Sequence, residues 1–394
     1  MKIAFLTAGG IAPCLSASIG ALIEKYNEIA PDAELVGYLN GYRGLLLGNS
    51  ISFPNTVKND FKTLYDFGGS PIGNSRVKLT NIDDCIKKGY VREGDDPLKI
   101  ASEQLKKDGI DILHTIGGDD TNTMAAQLSS YLNDNGYELT VVGLPKTVDN
   151  DVYPIKQTLG AWTAAEQGAI YFENIINENT TSTRQLIIHE VMGRHCGWLT
   201  AQTAYDYRKR MKHRNFLPEL LIQKERWDID AIYIPEHDFD MQNEVDRLKK
   251  IMDEKDGVNI FLSEGAGQET IVREMENKGQ EIPRDAFGHV RLDEINPGQW
   301  FAKQFSDALS AEKTLVQKSG YFARSAKANQ MDMDLIKRSA FLGAQNALDN
   351  KSGVAGLDNK DGELKLIEFS RIKGGKPFDI KEDWYQKMIN EIEN

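Results

Sequence analysis

Two apolar runs in this 394-residue chain end in glycines and acids, and this pattern constrains the fold most strongly. The run 139–144 is followed by PKTVDND (145–151), and the run 110–116 is followed by GGDDT (117–121). Short apolar runs bounded by turn residues are typical of buried strands, and the residues 122–132 follow a helical pattern. Open α/β sheets bind ligands at the carboxyl ends of their strands. The sequence therefore predicts two acidic loops at a ligand-binding edge.

The loop 145–151 combines two carboxylates with a fixed positive charge. Asp149 and Asp151 are two residues apart, and Lys146 lies beside them. One carboxylate can accept a proton from a hydroxyl while other groups hold a metal or neutralise phosphate. The alternative interpretation is a turn rich in Asp and Asn, since these side chains favour turns. The loop alone leaves both interpretations open.

The loop 117–121 has the layout of a phosphate cradle. A strand, two glycines and a helix start allow backbone N–H groups to approach a phosphate closely. Asp119 is then placed to bind a hard cation such as Mg²⁺ through oxygen. A tight turn with an Asp or Thr cap is the alternative. Because a second acidic strand end is predicted in the same sheet, we favour the ligand-binding interpretation.

Charge and cysteine content limit the class of protein. The formal net charge of −12 disfavours a nucleic-acid or anionic-membrane surface, although a local basic cluster can still bind phosphate. The cysteines Cys14, Cys85 and Cys196 are an odd and sparse set, which indicates a reducing compartment without a disulfide framework. No run approaches the roughly 18 apolar residues of a membrane span. We therefore expect a soluble, cytoplasmic protein.

The alternation of strand and helix patterns continues along the chain. Strands are predicted at 3–7, 35–39, 185–191, 231–234 and 258–262, and helices at about 15–30, 160–176 and 331–348, with an irregular segment at 49–93 and a charged C-terminal tail. This pattern predicts an α/β protein with two doubly wound, Rossmann-like domains and the active site in the cleft between them. His189, Glu190 and His195 do not have the spacing of a zinc protease, so we do not predict zinc.

Taken together, these motifs resemble the 6-phosphofructokinases over most of the chain. The motifs occur in the family's order: Gly9-Gly10, Gly41-Tyr42-Arg43-Gly44, Gly117-Gly118-Asp119, Lys146 to Asp151, Met192-Gly193-Arg194, Pro235-Glu236 and Gly288-His289. The resemblance implies Mg²⁺-dependent phosphoryl transfer to the C1 hydroxyl of fructose 6-phosphate. It also implies a donor domain at 1–159 plus about 291–340, and a fructose 6-phosphate domain at 160–290 plus about 341–394.

The family roles then fall on matching positions. The resemblance implies that Asp149 is the general base, assisted by Asp151, Lys146 and Thr147, and that Asp119 is the metal ligand. It implies donor contacts and sugar contacts at two further sets of residues: Gly10, Arg76, Gly118, Asp120, Thr121 and Lys146 for the donor; Thr147, Asp149, Arg184, Met192, Gly193, Arg194, Glu236, Tyr321 and Arg324 for the sugar phosphate. Arg184 would reach the site of a neighbouring subunit, so a homodimer or homotetramer is expected.

Donor choice depends on two residues. ATP-using members commonly have glycine where this chain has Asp120, and a carboxylate there adds bulk and like charge beside an α-phosphate. Lys146 can pair with the end of a pyrophosphate. The combination is similar to the pyrophosphate-dependent branch, for which the resemblance implies a reversible reaction. The alternatives are an ATP-dependent phosphofructokinase, an NAD kinase suggested by the Gly-Gly-Asp turn, and a non-catalytic sugar-phosphate sensor.

Overall fold

The computed structural model describes residues 1–284 and 290–393, and strands alternate with helices through most of this range. The strands are β1 (Lys2–Thr7), β2 (Glu34–Tyr38), β3 (Ser50–Ser52), β4 (Ile112–Gly117), β5 (Thr140–Pro145), β6 (Gln185–Val191), β7 (Ala231–Tyr233), β8 (Gly257–Ser263), β9 (Lys313–Lys318), β10 (Gly353–Leu357) and β11 (Leu364–Ile367). The helices are α1 (Leu15–Ile29), α2 (Tyr42–Leu47), α3 (Asn55–Asn59), α4 (Ile82–Lys87), α5 (Pro97–Asp108), α6 (Asp119–Asp134), α7 (Ala161–Ile175), α8 (Trp198–Met211), α9 (Lys224–Trp227), α10 (Met241–Lys255), α11 (Gln268–Asn277), α12 (Leu292–Ile295), α13 (Pro297–Ala308), α14 (Gly320–Ser325), α15 (Gln330–Leu348) and α16 (Asp383–Glu393).

The chain divides into two compact units. Unit 1 comprises Met1–Thr163 and Arg324–Lys376, and unit 2 comprises Ala164–Ala323 and Pro377–Asn394. The sheet of unit 1 has the strand order β11-β10-β5-β4-β1-β2-β3. Its five inner strands are parallel, whereas β3 and β11 pair antiparallel at the two edges. The strand order reverses between β1 and β4, so the loops after these two strands lie at a topological switch point.

The parallel strands of unit 1 are apolar because helices cover them. In β1 the side chains from Ile3 to Leu6 are fully buried, and in β5 the same is true of Val141, Val142 and Leu144. Such continuous apolar runs are typical of strands covered on both faces. Helix α15 packs against α1 and β5. Gly343 of α15 favours this close approach, since a Cβ there would lie 3.2 Å from Cγ1 of Val142, which is tighter than ordinary van der Waals contact.

The sheet of unit 2 has the strand order β7-β8-β6-β9, and all of its pairs are parallel. Strand β6 lies in the centre, where Gln185 is in register with Gly257 of β8 and Lys313 of β9. Its fully buried Leu186 and Ile188 belong to the unit 2 core. The carboxyl end of β6 therefore sits between two neighbouring strand ends.

The predicted α/β class with two doubly wound sheets is confirmed. Strand β6 has the predicted bounds, and the other predicted strands and helices agree with the structure to within a few residues. The segment 49–93, expected to be irregular, contains only short elements such as β3, α3 and α4. The charged tail instead folds into β10, β11 and α16. No helix in the described ranges is long and apolar enough to cross a membrane.

The C-terminal domain assignment differs from the prediction. The first boundary, expected at 159/160, is close to the observed change at Thr163. The sequence analysis places about 291–340 with the first domain and about 341–394 with the second, but 291–323 belongs to unit 2 and 341–376 to unit 1. The pairing of strands explains this difference. Strand β9 pairs with β6 of unit 2, and β10 pairs with β5 of unit 1.

Candidate active site

The glycine turn after β1 lies at the switch point of unit 1. Gly9 has a φ of +89°, which favours glycine, and its N–H donates to the carbonyl of Ser75 at 2.9 Å. The amide of Asn74 in turn donates to the carbonyl of Gly9 at 2.5 Å. These bonds fix the segment before Arg76 alongside the turn. Arg76 itself, a predicted donor ligand, has an exposed side chain.

Lys146 is buried against the same turn. It is only 3% exposed, and its Nζ donates to the carbonyl of Gly10 at 2.7 Å. Arg324 lies on Gly10 as well, because a Cβ added at Gly10 would be 2.7 Å from Nη2 of Arg324. Burial and the nearby charge of Arg324 together lower the pKa of Lys146 to about 8, although the charges of Asp149 and Asp151 act in the opposite direction. Lys146 and Arg324 thus place two positive charges beside Gly10, which is suited to binding an anion.

The second glycine loop joins β4 to α6. Gly118 precedes the helix, which begins at Asp119. Burial raises the pKa of Asp119, and the charges of Asp120 and Asp151 act in the same direction. A cation would relieve this repulsion between carboxylates. Thr121, a predicted donor ligand, is 2% exposed and packs on Gly117, where a Cβ would lie 2.3 Å from its hydroxyl oxygen.

Asp120 has a partner that sequence reasoning missed. Nζ of Lys78 lies 2.6 Å from Oδ2 of Asp120, with the two side chains 28% and 56% exposed. Lys78 lies two residues after Arg76, in the segment expected to be irregular. No pattern in that segment distinguishes Lys78 from a solvated lysine. The carboxylate predicted to disfavour ATP is therefore held by an ion pair.

The loop Lys146–Asp151 agrees with both interpretations of its sequence, the turn rich in Asp and Asn and the acid–base site. Asn150 has a φ of +55°, and its side-chain oxygen accepts the N–H of Thr158 at 2.9 Å. The hydroxyl of Thr158 donates to the carbonyl of Thr147 at 2.8 Å. Asn150 thus provides the turn chemistry, while Asp149 and Asp151 on either side of it are partly exposed. The turn shapes the loop and leaves its acids accessible to a substrate.

In unit 2, the loop Met192–Arg194 follows β6 and packs against the loop after β8. Gly193 has a φ of +135°, and a Cβ there would lie 2.5 Å from the carbonyl oxygen of Cys196. Its N–H donates to Oε1 of Glu264 at 3.3 Å, and its carbonyl accepts the hydroxyl of Ser263 at 2.5 Å. Glu264, which the sequence analysis did not assign to the site, therefore helps to hold this loop.

A cavity of 610 Å³ in unit 2 is lined by Arg194 and Glu236. The carboxylate of Glu236 accepts the N–H of Gly197 at 3.0 Å and the N–H of Phe378 at 2.7 Å. Further polar residues of the lining are His195, His237, Gln268 and Arg273. A cavity with cations and carboxylates around it can bind a phosphorylated polyol through charge and hydroxyl contacts.

Two predicted sugar-phosphate ligands have environments that the sequence did not indicate. The guanidinium of Arg184 donates to the carbonyls of Leu309 and Ser310 at 2.6 and 2.8 Å, and it pairs with Asp253 at 2.9 Å. Contact with another subunit would require some of these bonds to be released. Tyr321 is 80% exposed. The predicted Gly288-His289 motif lies outside the described residues.

The surroundings of His189 and Asp119 bear on whether zinc or Mg²⁺ could bind. His189 is fully buried, and its Nε2 is bonded to the hydroxyl of Ser319 at 2.8 Å, which is the environment of a core histidine. Within 1–284 and 290–393, no group of three or more His, Cys, Asp or Glu side chains is arranged to hold a metal. Mg²⁺ commonly binds through one or two carboxylates together with substrate phosphates, and Asp119 fits that mode.

Comparison with known proteins identifies the family. The model of the phosphofructokinase family, described as "Phosphofructokinase", matches residues 2–345. The chain belongs to the phosphofructokinase family. A pyrophosphate–fructose 6-phosphate 1-phosphotransferase of Methylomonas methanica is 59% identical over 99% of this chain and 96% of the relative. Another from Mastigamoeba balamuthi is 53% identical over 99% of this chain and 95% of the relative.

A solved structure shows the same fold at low sequence identity. The pyrophosphate-dependent phosphofructokinase from Marinobacter aquaeolei superposes with a TM-score of 0.72 at 19% identity, covering 98% of this chain and 91% of that one. At this identity the likeness concerns the fold alone. The match of the family model spans both acidic loops and the Met192–Arg194 loop. Membership of the phosphofructokinase family therefore excludes the NAD kinase alternative.

Proposed function

We propose that this protein catalyses the reversible transfer of a phosphoryl group from pyrophosphate to the C1 hydroxyl of fructose 6-phosphate. The products are fructose 1,6-bisphosphate and phosphate. The observation that carries the proposal is the acidic loop Lys146–Asp151, whose lysine is buried against the Gly9-Gly10 turn. The full-length relatives at 53% and 59% identity are named for this reaction, which supports pyrophosphate rather than ATP as the donor.

The acid–base step belongs to the loop of unit 1. The C1 hydroxyl gives its proton to Asp149, its oxygen bonds to phosphorus, and the bridging P–O bond of pyrophosphate breaks to release phosphate. Asp151 and Thr147 assist at the same loop. Because the transition state of phosphoryl transfer is loose, positioning and charge stabilisation supply most of the rate. Lys146 provides a positive charge in a buried place, where electrostatic interactions are stronger than in water.

Mg²⁺ is the proposed metal, and Asp119 is its proposed ligand. Burial raises the pKa of Asp119, and the charges of Asp120 and Asp151 add to this effect, so a divalent cation is favoured there. When bound, Mg²⁺ would neutralise charge on the donor phosphates. Gly10, Gly118, Thr121, Arg76 and Lys146 complete the proposed donor site. Thr121 would contribute through its backbone in the first turn of α6, because its side chain is buried.

The sugar phosphate is proposed to bind in unit 2. Arg194 and Glu236 line its cavity, and Met192 and Gly193 form the loop beside them. Glu236 is held by two backbone N–H groups, so its carboxylate is fixed before any sugar hydroxyl reaches it. Tyr321 remains a proposed contact to the 6-phosphate. The role of Arg184 in a neighbouring subunit, and with it a homodimer or homotetramer in the cytoplasm, stays a prediction.

The alternative, an ATP-dependent phosphofructokinase, can be separated by one assay. Purified protein is given fructose 6-phosphate and Mg²⁺ with pyrophosphate or ATP in parallel, and formation of fructose 1,6-bisphosphate is followed with coupling enzymes. The reverse reaction is tested with fructose 1,6-bisphosphate and phosphate. Turnover with pyrophosphate and in reverse is expected. Turnover with ATP alone would agree with the family but contradict pyrophosphate as the donor. Inactivity with both donors would contradict the proposed enzymatic activity.

A further inference from the structure

A buried carboxylate of α15 holds the segment that follows the acidic loop of unit 1. Asp332 is fully buried, and its Oδ1 accepts the N–H of Gly160 at 2.9 Å. Its Oδ2 accepts the N–H and the hydroxyl of Thr163 at 2.7 and 2.5 Å. Helix α7 begins at Ala161, and the N–H groups at the start of a helix have no partner within it. Asp332 therefore caps α7 from 169 residues further along the chain.

The starts of α7 and α15 are joined by reciprocal hydrogen bonds. The hydroxyl oxygen of Thr163 accepts the N–H of Asn329 at 3.0 Å, and the side chain of Asn329 accepts the N–H of Asp332 at 2.9 Å. A buried carboxylate is costly unless it is hydrogen-bonded, and a helix N-terminus favours negative charge. Because each of these bonds depends on the others, the start of α7 is fixed in one place against α15.

The segment that Asp332 fixes lies directly against the acidic loop. The backbone of Leu159 pairs with that of Lys146 as in a parallel sheet. The hydroxyl of Thr158 donates to the carbonyl of Thr147 at 2.8 Å. These two contacts come one and two residues before the glycine whose N–H Asp332 accepts. A shift at the start of α7 would therefore be passed to the backbone of the acidic loop.

We propose that Asp332 is a positioning residue for phosphoryl transfer, which fixes the segment 158–160 and thereby sets the place of Lys146 and Thr147. This inference rests on the proposed function and adds a residue that acts without touching a substrate, because Asp332 is fully buried. The rate of phosphoryl transfer depends mainly on positioning and charge stabilisation. A misplacement of about 1 Å can lower such a rate about 10²-fold.

Asp332→Asn tests this role with almost no change in side-chain volume. The amide keeps one acceptor oxygen, but its NH₂ group faces donors at the start of α7, so at least one hydrogen bond is lost. We expect kcat to fall about 10- to 100-fold, while KM for fructose 6-phosphate changes less than about threefold. Asp334→Asn is the matched control, because Asp334 is exposed on the same helix and accepts a bond from Gln330. Its kcat should stay unchanged.

Two substitutions of Thr163 test the same contact from the other side. Thr163→Val removes the hydroxyl that joins α7 to α15 and keeps the shape of the side chain, so kcat should fall. Thr163→Ser keeps the hydroxyl and should retain most of the rate. The assays are made well below the Tm of each variant, because a purely structural role would lower Tm and leave the kcat of the folded enzyme unchanged. Thr163→Val also stands in for Asp332→Asn if that variant does not fold.

Hydrogen exchange gives a measurement that does not depend on activity. The N–H of Lys146 donates to the carbonyl of Gly117, and the N–H of Leu159 donates to that of Pro145, both at 2.9 Å. In Asp332→Asn these two N–H groups should exchange about tenfold faster or more, because the local structure opens more easily. The N–H groups of β6 in unit 2 should exchange at the original rate.

The outcomes separate this inference from the proposed function. If the unaltered enzyme uses ATP but not pyrophosphate, the proposed donor is wrong, and the variants are assayed with ATP because the acidic loop serves either donor. If it is inactive with both, the proposed function fails, and hydrogen exchange alone decides whether Asp332 fixes the loop. Unchanged exchange at Lys146 and Leu159, a lower Tm with unchanged kcat, or an equal loss of kcat in Asp334→Asn would each overturn the inference.

Discussion

Two lysines near the acidic loops of unit 1 have opposite environments. Lys146 is 3% exposed and bonded to a backbone carbonyl, whereas Lys78 is 28% exposed and paired with the carboxylate of Asp120. Burial lowers the pKa of Lys146 to about 8. A surface ion pair such as that of Lys78 contributes roughly 0–1 kcal/mol to stability. The buried lysine carries a charge that a substrate can use, and the exposed one satisfies a protein carboxylate.

This difference indicates a division of work between catalysis and donor choice. In the proposed reaction the charge of Lys146 acts on the transferred phosphate, and the carboxylate of Asp120, paired with Lys78, would determine which donor can enter. Substitutions of the Lys146 loop should therefore change the rate strongly, whereas removal of the Asp120 carboxylate should change selectivity. The predictions below test that distinction in order of expected effect.

The largest effect is expected at the base on the Lys146 loop. Asp149→Ser removes the proton acceptor and should lower kcat about 10² to 10⁴-fold, while KM for fructose 6-phosphate stays nearly unchanged. Steady-state kinetics with pyrophosphate measure both values, and circular dichroism checks that the variant is folded. A variant that keeps more than about a tenth of its rate would show that Asp149 is not a base of this importance.

The two lysines can be compared directly. Lys146→Met should lower kcat/KM for pyrophosphate about 10² to 10³-fold, the usual cost of removing one group that stabilises transition-state charge. Lys78→Met is its matched control and should lower the same quantity less than about tenfold. Parallel assays at one Mg²⁺ concentration provide the comparison. If kcat/KM for pyrophosphate fell by a similar factor in both variants, the proposed difference in role between the two lysines would be wrong.

Selectivity should change when the carboxylate of the pair is removed. Asp120→Gly takes away bulk and negative charge, so the ratio of ATP to pyrophosphate activity is expected to rise about tenfold or more. Lys78→Met leaves the carboxylate in place, and its ratio should not rise. Competition assays with both donors measure this ratio. If ATP stays excluded from Asp120→Gly, another feature determines donor choice.

The smallest expected effect is a dependence on pH. Lys146 carries its charge below a pKa of about 8 and loses it above that value, because burial favours the neutral form. In the free enzyme, kcat/KM for pyrophosphate should therefore fall about tenfold per pH unit on the alkaline side of this pKa. Lys146→Arg keeps its charge and should move this decline to higher pH. An unchanged profile in Lys146→Arg would assign the decline to another group.

The strands and loops near the switch point were predictable because their signals are local. Apolar runs that end in glycine and acid identify β4 and β5, and both acidic loops follow these strands. The strand β10 was missed because its sequence, Gly353 to Leu357, contains two glycines and resembles a turn. It forms a strand because β5 offers a parallel edge and Val354 becomes fully buried.

Residues that act through distant contacts could not be placed from the sequence. The ion pair of Lys78 with Asp120 and the contact of Arg324 with Gly10 each join segments far apart in the chain. Such assignments depend on which side chain reaches a loop after folding, and spacing along the chain carries no information about that distance.

The pairing of β10 with β5 has a consequence for biosynthesis. Strand β5 ends at Pro145, but its neighbour begins at Gly353, after most of unit 2 has been made. At roughly 5–20 residues per second, the ribosome therefore leaves one edge of the first sheet open for about 10 to 40 s. An open edge strand can pair with other nascent chains. We therefore expect rapid completion of the C-terminal segment to shorten the time for which this edge is open.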